Sequence, residues 1–564
     1  GKRMPLFLKE LKKEKRSAWL FYPDMPNRSE IKVCSVTVVR PETSEESVQR
    51  LLKAGLEQLA QEKHLILCFP NPEERGWNQD GYQEADIRAI AAFQEAMNRK
   101  DDEPVPVNEK GIPTYEFMQS TWHPMNDTHY YIGIDSGASI LAAMMALRPQ
   151  NMAAMVLIGG EVDKKTIEKA VTSPVPAWLY GCGERLKHYV CKTNGVENSD
   201  RTDTQGEYWN AINPACRVVL KNEKAELNTE ILEQIWKELF SKTRRLNTSV
   251  YGDCADRTDL TDAGFEWFVD NTEIDGTPHT WLVHVPTAVR NGQKNVPVVF
   301  FYHGGSDNPS EAAEMSRFHE IGEKEHFITV YPWSTNRAGW NMELLKDQAD
   351  DLAYCKELIL YMLKHYPVDP SRVYLSGFSN GAGMAQTVAM IYPELVAALG
   401  HIDSNWPGVR YGRVEVDYQT VEPMRIALEK QQERQIDMPV WYTYGTREAS
   451  SPVCRGCSQQ HQYDFWKQFN RIEVKPTREL EDPLLPEHGV DGDTSETLYP
   501  DIQHPDHYYT VQHFFNAEGR NYYNFALMHH KGHEVAPKDA QLSWNYMKQF
   551  RREKDGTVKV SLEN

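Results

Sequence analysis

The chain has 564 residues, of which 40% are hydrophobic, 11% aromatic and 25% charged. That is the composition of an ordinary globular protein, and the length exceeds what one hydrophobic core organises, so two or more domains are expected. The net charge of −19 argues against nucleic acid and anionic membranes as partners, and no apolar run approaches the ~20 residues of a membrane span.

In chain order, the first residues are rich in Lys and Glu and read as a solvated arm with a helical leaning. The apolar run within Gly1–Lys9 is too short for a signal peptide. The expected location is therefore cytoplasmic if the start is intact, and secreted if a leader was removed before Gly1. Strands are predicted at Ala18–Tyr22, Ile31–Val39 and His64–Phe69, with a helix over Ser44–Gln61 from the spacing of Val48, Leu51, Leu52, Leu56 and Leu59. A helix at Asp86–Met97, a strand at Thr128–Ile134, a helix at Ala138–Leu147, strands at Met155–Ile158 and Ala177–Tyr180 and a helix at Glu230–Phe240 follow. A second series begins near Ser249. It has strands at Trp281–Pro286, Val296–Tyr302 and Phe327–Tyr331, and a helix over Asp350–Tyr366. Later strands hold His401 and Met438–Tyr444, and a helix closes the series at Ala540–Phe550. Strands alternating with helices give a mainly parallel sheet flanked by helices.

The two series repeat one another. Phe69-Pro70 with Arg75-Gly76-Trp77-Asn78 parallels Tyr331-Pro332 with Ala338-Gly339-Trp340-Asn341, and Gly133-Ile-Asp135-Ser-Gly137 parallels Gly377-Phe-Ser379-Asn-Gly381. Val175-Pro176 to Gly181 parallels Met438-Pro439 to Gly445, each followed by a glutamate, Glu184 and Glu448. Two tandem copies of one α/β fold are expected, over residues 1–245 and 246–564.

Gly377-Phe378-Ser379-Asn380-Gly381 follows a strand, Arg372–Ser376, and opens a helix. Strand, G-x-S-x-G and helix together make a nucleophile elbow, which lifts a serine hydroxyl above the sheet. A serine nucleophile needs a base, and the base an orienting carboxylate, in the chain order Ser, acid, His. Glu448, just past the strand ending at Tyr444, is the first choice of acid, with Asp403 the rival. His533, after Gly532 in the loop entering the last helix, is the base, ahead of His529 and His530. The backbone N–H of Asn380 and that of Gly305, in His303-Gly304-Gly305-Ser306, are the expected oxyanion donors. His303, Ser306, Trp340 and Trp406 are candidate substrate contacts; Trp466, Tyr508, Phe514 and Phe515 are candidates for a cover or wall of the cleft.

These residues carry a resemblance. Residues ~250–550, through Thr280–Pro286, His303-Gly304-Gly305, Gly339-Trp340-Asn341, Asp350-Asp351-Leu352, Tyr366–Tyr374, Gly377–Met384 and Gly532-His533, resemble the poly(3-hydroxybutyrate) depolymerase and feruloyl esterase group, the carbohydrate esterase family 1-like α/β-hydrolases. The resemblance implies a Ser–acid–His esterase without metal or organic cofactor, acting on a small or polymer-linked ester. Feruloyl or acetyl esters of plant carbohydrate come first, polyester or short aliphatic esters next. A serine peptidase and a non-catalytic carbohydrate-binding protein are two further readings. The group's acid is usually Asp, whereas this chain has Glu448. The first copy has Asp135 at the elbow, keeps Glu184, and offers Lys221-Asn222-Glu223-Lys224 where His533 stands in the second, so it is expected to be degenerate. The nine cysteines include a lone C-x-x-C at Cys454 and Cys457; without a second pair or a His cluster at ligand spacing, no metal site is expected.

Overall fold

The computed structural model describes residues 6–24, 32–97, 124–196, 206–258, 260, 263–337, 339–404, 421–448, 458–474 and 492–561. Trp406, Cys454 and Cys457 lie outside them. The chain divides into two compact units, Gly1–Val105 with Ser120–Asp259, and Pro106–Gln119 with Leu260–Asn564.

The sheet of the first unit uses β1 (Leu6–Leu11), β2 (Arg16–Phe21), β3 (Cys34–Val39), β4 (Leu65–Pro70), β5 (His129–Ile134), β6 (Ala154–Ile158), β7 (Ala177–Tyr180), β8 (Glu207–Trp209) and β9 (Arg217–Lys221). Their order is β1-β2-β4-β3-β5-β6-β7-β9-β8. The run from β4 to β9 is parallel, and β1, β2 and β8 are antiparallel. The central strands are buried along their length, as both faces of a helix-covered parallel sheet must be.

Residues 6–11 are a strand, contrary to the expected arm. Charge content suggested solvation, but Phe7 and Leu11 share one face at strand spacing and pack on the core, with the Phe7 ring stacked on Tyr22 at 5.6 Å. The expected boundary at 245 falls inside a hairpin of β10 (Thr243–Leu246) and β11 (Asp253–Asp256) that belongs to the first unit. Buried Arg245 pins it there, donating to Ser173 Oγ (2.6 Å), Pro174 O (2.6 Å) and Tyr251 O (2.7 Å).

The sheet of the second unit uses β12 (Phe265–Asn271), β13 (His279–His284), β14 (Val296–Tyr302), β15 (Ile328–Pro332), β16 (Val368–Phe378), β17 (Ala398–Ile402), β18 (Val440–Gly445), β19 (Thr494–Leu498), β20 (Tyr509–Phe515) and β21 (Asn521–Met528). A small hairpin of β22 (Phe550–Arg552) and β23 (Val558–Val560) ends the chain. The order β12-β13-β15-β14-β16-β17-β18-β21-β20-β19 repeats that of the first unit and adds one strand at the far edge. Here too the run from β15 to β21 is parallel. Both units are therefore α/β folds of the doubly covered, mainly parallel kind.

The repeat extends to side-chain contacts within each unit. Trp77 Nε1 donates to Arg40 O (2.7 Å), and Trp340 Nε1 to His303 O (3.0 Å), each bonding the loop that follows β3 or β14. Asn78 N–H donates to Asp86 Oδ2 (3.1 Å), and Asn341 N–H to Asp351 Oδ2 (2.8 Å).

Candidate active site

Strand β16 ends at Phe378, and the helix Asn380–Ile391 begins two residues later. Ser379 makes the turn between them with φ 53° and ψ −119°, a conformation that costs a non-glycine residue about 1–3 kcal/mol. Asp135 in the first unit has almost the same backbone, φ 51° and ψ −113°. The elbow geometry thus survives in both units although the side chain differs. A Cβ at Gly381 would run into the carbonyl oxygens of Tyr302 and His303, so only glycine lets the helix approach β14 this closely. The Ser379 side chain makes no capping hydrogen bond to its helix, which leaves the hydroxyl available for other partners.

His533 lies at the same end of the sheet. Its Nδ1 is 3.0 Å and 3.1 Å from the two carboxylate oxygens of Glu448, and its ring packs on Phe378, the neighbour of Ser379, at 4.7 Å. Burial pulls the imidazole pKa down, but the hydrogen bond and charge of Glu448 more than offset it, and the net is a rise above the ordinary histidine value. Glu448 is almost fully buried, whereas the His533 side chain is 45% exposed and open to a ligand from the solvent side.

Asp403 and Glu448 are not alternatives in space. Asp403, Glu448 and His533 offer atoms that all lie within 4.8 Å of one another. β17 and β18 are hydrogen-bonded neighbours, so the residues just past their ends converge. Asp403 accepts from the Glu534 N–H (3.0 Å), and its Oδ1 is 3.0 Å from Lys531 Nζ. Burial, then the charge of Glu448, raises the Asp403 pKa well above the usual carboxylate range, against the pull of Lys531. Two carboxyls in contact do not both ionise readily, so they titrate as a pair, with the Lys531 ammonium favouring charge on Asp403.

Lys531 is fully buried, with Nζ also 3.0 Å from Asp539 Oδ2. Asp539 accepts in addition from Ala536 N–H (2.8 Å) and Tyr509 OH (2.6 Å). Burial disfavours the Lys531 ammonium, but Asp403, Asp539 and Glu448 push its pKa up overall. The chain enters this cluster closely, because a Cβ at Gly445 would collide with Lys531 O. A buried cation beneath the acid–histidine pair is a part of the site that sequence reading missed. The signal in the sequence is a lysine just past a buried strand, between His530 and Gly532 and two residues before His533.

The loop that carries Gly305 is built from below. Gly305 is exposed and its nearest non-neighbour is Asn380, with 3.9 Å from an ideal Cβ to Asn380 Cβ. The Asn380 side chain is occupied in accepting from the Trp340 N–H (2.6 Å). His303 and Trp340, expected as substrate contacts, are instead buried supports. His303 Nδ1 donates to Gly304 O (2.6 Å) and Nε2 accepts from the Ser334 N–H (3.0 Å), which spends both ring nitrogens of a neutral imidazole. Burial lowers its pKa to about 4. Ser306 is partly exposed, with φ 66°. Trp466 and Phe514 are core residues rather than a cover; the Trp466 Nε1 donates to Gln386 Oε1 (2.8 Å). Tyr508 stacks on His529 at 4.2 Å.

In the first unit, Lys224 Nζ lies 2.6 Å from Asp135 Oδ1. Glu184, read as the retained acid, is a solvent-exposed residue of the helix Glu184–Thr193, paired with Lys187 at 2.8 Å. An ammonium has no lone pair with which to take a proton, so this pair lacks the base that an aspartate nucleophile requires.

Comparison with known proteins covers part of the second unit. A family described as Esterase PHB depolymerase matches residues 282–440, which include Gly305, Ser379, Asn380 and Asp403 but stop before Glu448 and His533. The poly(3-hydroxyalkanoate) depolymerase C of Paucimonas lemoignei is 29% identical over 127 residues, 21% of this chain and 30% of that protein. A bifunctional acetylxylan esterase/xylanase of Neocallimastix patriciarum is 32% identical over 100 residues, 18% of this chain and 14% of that protein. Feruloyl esterase B of Talaromyces funiculosus is 26% identical over 106 residues, 18% of this chain and 30% of that protein. The chain thus spans less than a third of the length of these relatives. Among solved structures, an acetyl xylan esterase from Aspergillus awamori aligns with 50% of this chain and 99% of its own, at 16% identity and a TM-score of 0.35. Through the stretch from Leu282 to Val440, the second unit resembles the PHB-depolymerase esterases and their acetylxylan and feruloyl esterase relatives.

Proposed function

We propose that the second unit is a serine carboxylic-ester hydrolase. The observation that carries the reading is the His533–Glu448 pair at 3.0 Å, set against Phe378 beside an elbow serine whose hydroxyl caps nothing. In this reading Ser379 Oγ attacks the ester carbonyl while His533 Nε2 takes its proton. The Asn380 and Gly305 N–H groups receive the charge that develops on the carbonyl oxygen. His533 returns the proton to the leaving alcohol, an acyl-enzyme remains, and water cleaves it by the same proton route. Glu448 holds the ring with Nδ1 protonated and stabilises the imidazolium, and the first unit takes no part in the chemistry.

Acyl esters of plant carbohydrate, acetyl or feruloyl, are the proposed substrates, in keeping with the names of the acetylxylan and feruloyl esterase relatives. A polyester of hydroxyalkanoate is the second reading, favoured by the Paucimonas relative. Hydrolysis of p-nitrophenyl acetate and butyrate, methyl ferulate, acetylated xylan and a hydroxybutyrate oligomer tests both. Turnover of acetylated xylan or methyl ferulate well above the simple nitrophenyl esters supports the carbohydrate reading. Preference for the hydroxybutyrate oligomer selects the polyester, and no turnover of any ester sinks the proposal.

The pH profile offers a second check. His533 must be neutral to act as a base, so kcat/KM falls as pH drops through its raised pKa, and the acid limb is displaced upward from the ordinary histidine value. Glu448→Gln removes the charge that raises that pKa. The expected result is a large drop in the plateau, with the remaining limb moved to lower pH. A limb that stays in place would mean that Glu448 does not face the titrating base.

A further inference from the structure

The loop between β19 and β20 leaves the sheet at the end where β18 and β21 also finish, since Tyr509 pairs with Met528 and Met528 with Gly445. It carries Asp501-Ile-Gln-His504-Pro-Asp-His507. Two tight turns fold it: the Gln503 N–H donates to Asp501 Oδ1 (3.0 Å), and the His507 N–H to His504 O (2.9 Å). Asp501 Oδ2 then lies 2.8 Å from His504 Nδ1 and 3.8 Å from His507 Nδ1, and one donor atom from each residue falls within 4.8 Å of the others. The side chains are 3%, 7% and 4% exposed. The two rings stand 4.5 Å apart at 10° to each other.

The Asp501–His504 hydrogen bond offsets part of the cost of taking a carboxylate and two imidazoles out of water, and a bound cation would offset it as well. One carboxylate oxygen and two imidazole nitrogens suit zinc and its first-row neighbours, whereas calcium and magnesium favour all-oxygen sites. Ligand atoms at ~2.0–2.2 Å from a tetrahedral zinc stand about 3.3–3.5 Å apart, and the separations of 2.8 and 3.8 Å straddle that spacing. To aim both lone pairs at one ion the parallel rings must turn about Cβ–Cγ, a soft torsion in histidine.

We propose that Asp501, His504 and His507 bind one divalent transition-metal ion, zinc in the first place, and that the ion fastens the loop at the end of the sheet that holds Ser379 and His533. The link to that site is short. Tyr509, two residues past His507, donates to Asp539, which meets Lys531 and through it Asp403. The D-x-x-H-x-x-H spacing is a His cluster at ligand spacing, contrary to the expectation of no metal site.

The test uses the full chain, stripped with chelator and dialysed, then titrated with Zn²⁺ by calorimetry, with Co²⁺ as the optical probe. One equivalent of zinc is expected, together with cobalt d–d absorption and a melting temperature raised by several degrees. His504→Ala and His507→Ala should each lose the equivalent. His533→Ala should keep it, which separates this cluster from Asp403, Glu448 and His533, and so should a chain with both Cys454→Ser and Cys457→Ser. A wild-type chain that takes up no zinc, or a His507→Ala chain that binds like wild type, overturns the proposal and leaves Asp501 as a plain hydrogen-bonding partner of two stacked histidines. Loss of the equivalent in His533→Ala alone moves the ion to the other cluster and overturns it equally. If the loop variants do not fold, amide exchange of the wild-type chain decides. Zinc should slow exchange across residues 499–508, and unchanged exchange overturns the assignment.

Discussion

Ser379→Ala is expected to lower kcat/KM on a nitrophenyl ester by about 10⁴- to 10⁶-fold, the range seen when a triad nucleophile is removed. The protein should remain folded. The hydroxyl does not cap the helix Asn380–Ile391, and alanine is no worse than serine at φ 53°. The wild-type chain should react with a fluorophosphonate and the variant should not. His533→Ala should lose nearly as much, and the double variant little more than either single one, because the groups act as a unit. Residual turnover within about tenfold of wild type would remove Ser379 from the mechanism. Labelling of the wild type without ester turnover would keep the reactive serine and reject the substrate class.

Lys531→Met is expected to destabilise the second unit strongly. The side chain is fully buried, and both of its partners, Asp403 and Asp539, are buried with it. Removing one member of such a cluster leaves buried carboxyls without their cation, which typically costs about 3–5 kcal/mol. That is a large share of the roughly 5–15 kcal/mol that holds a domain folded. Chemical denaturation should show the loss directly. Adding Asp403→Asn to Lys531→Met should recover part of it, since the second change removes one of the stranded acids. In whatever fraction folds, activity should also fall, because Asp403 contacts Glu448 and accepts from the Glu534 N–H next to His533. A Lys531→Met chain as stable as wild type would show that the three groups are not electrostatically coupled.

Much of the candidate site was legible because its signals are local. Strand, G-x-S-x-G and helix announce an elbow wherever they occur in order, and the two glycines are demanded by contacts that a side chain would block. The order of serine, acid and histidine follows from the succession of parallel strands, so Glu448 and His533 could be picked as residues just past strand ends, and the fold brings them to 3.0 Å. The tandem repeat was legible for the same reason: Trp77 and Trp340 recur with their neighbours and make the same bond in each unit.

Other features depended on which segments become neighbours. Residues 6–11 looked like a charged arm until pairing with β2 gave their alternate side chains a face to bury. His303 and Trp340 were candidate substrate contacts in the sequence, yet burial commits their polar atoms to Ser334, Gly304 and the loop backbone. Asp403 and Glu448 competed for one role in the sequence, and the pairing of β17 with β18 makes them partners. Lys224 was one of several charges in a loop until it closed on Asp135. By itself the sequence determined the α/β class, the duplication and the elbow, because each rests on periodicity or on contacts a few residues apart. Only the tertiary structure decided the charge state around the acid, the buried lysine beneath it and the Asp501–His504–His507 cluster, because burial and the distance between charges set their energies, and neither is a property of neighbours in the chain.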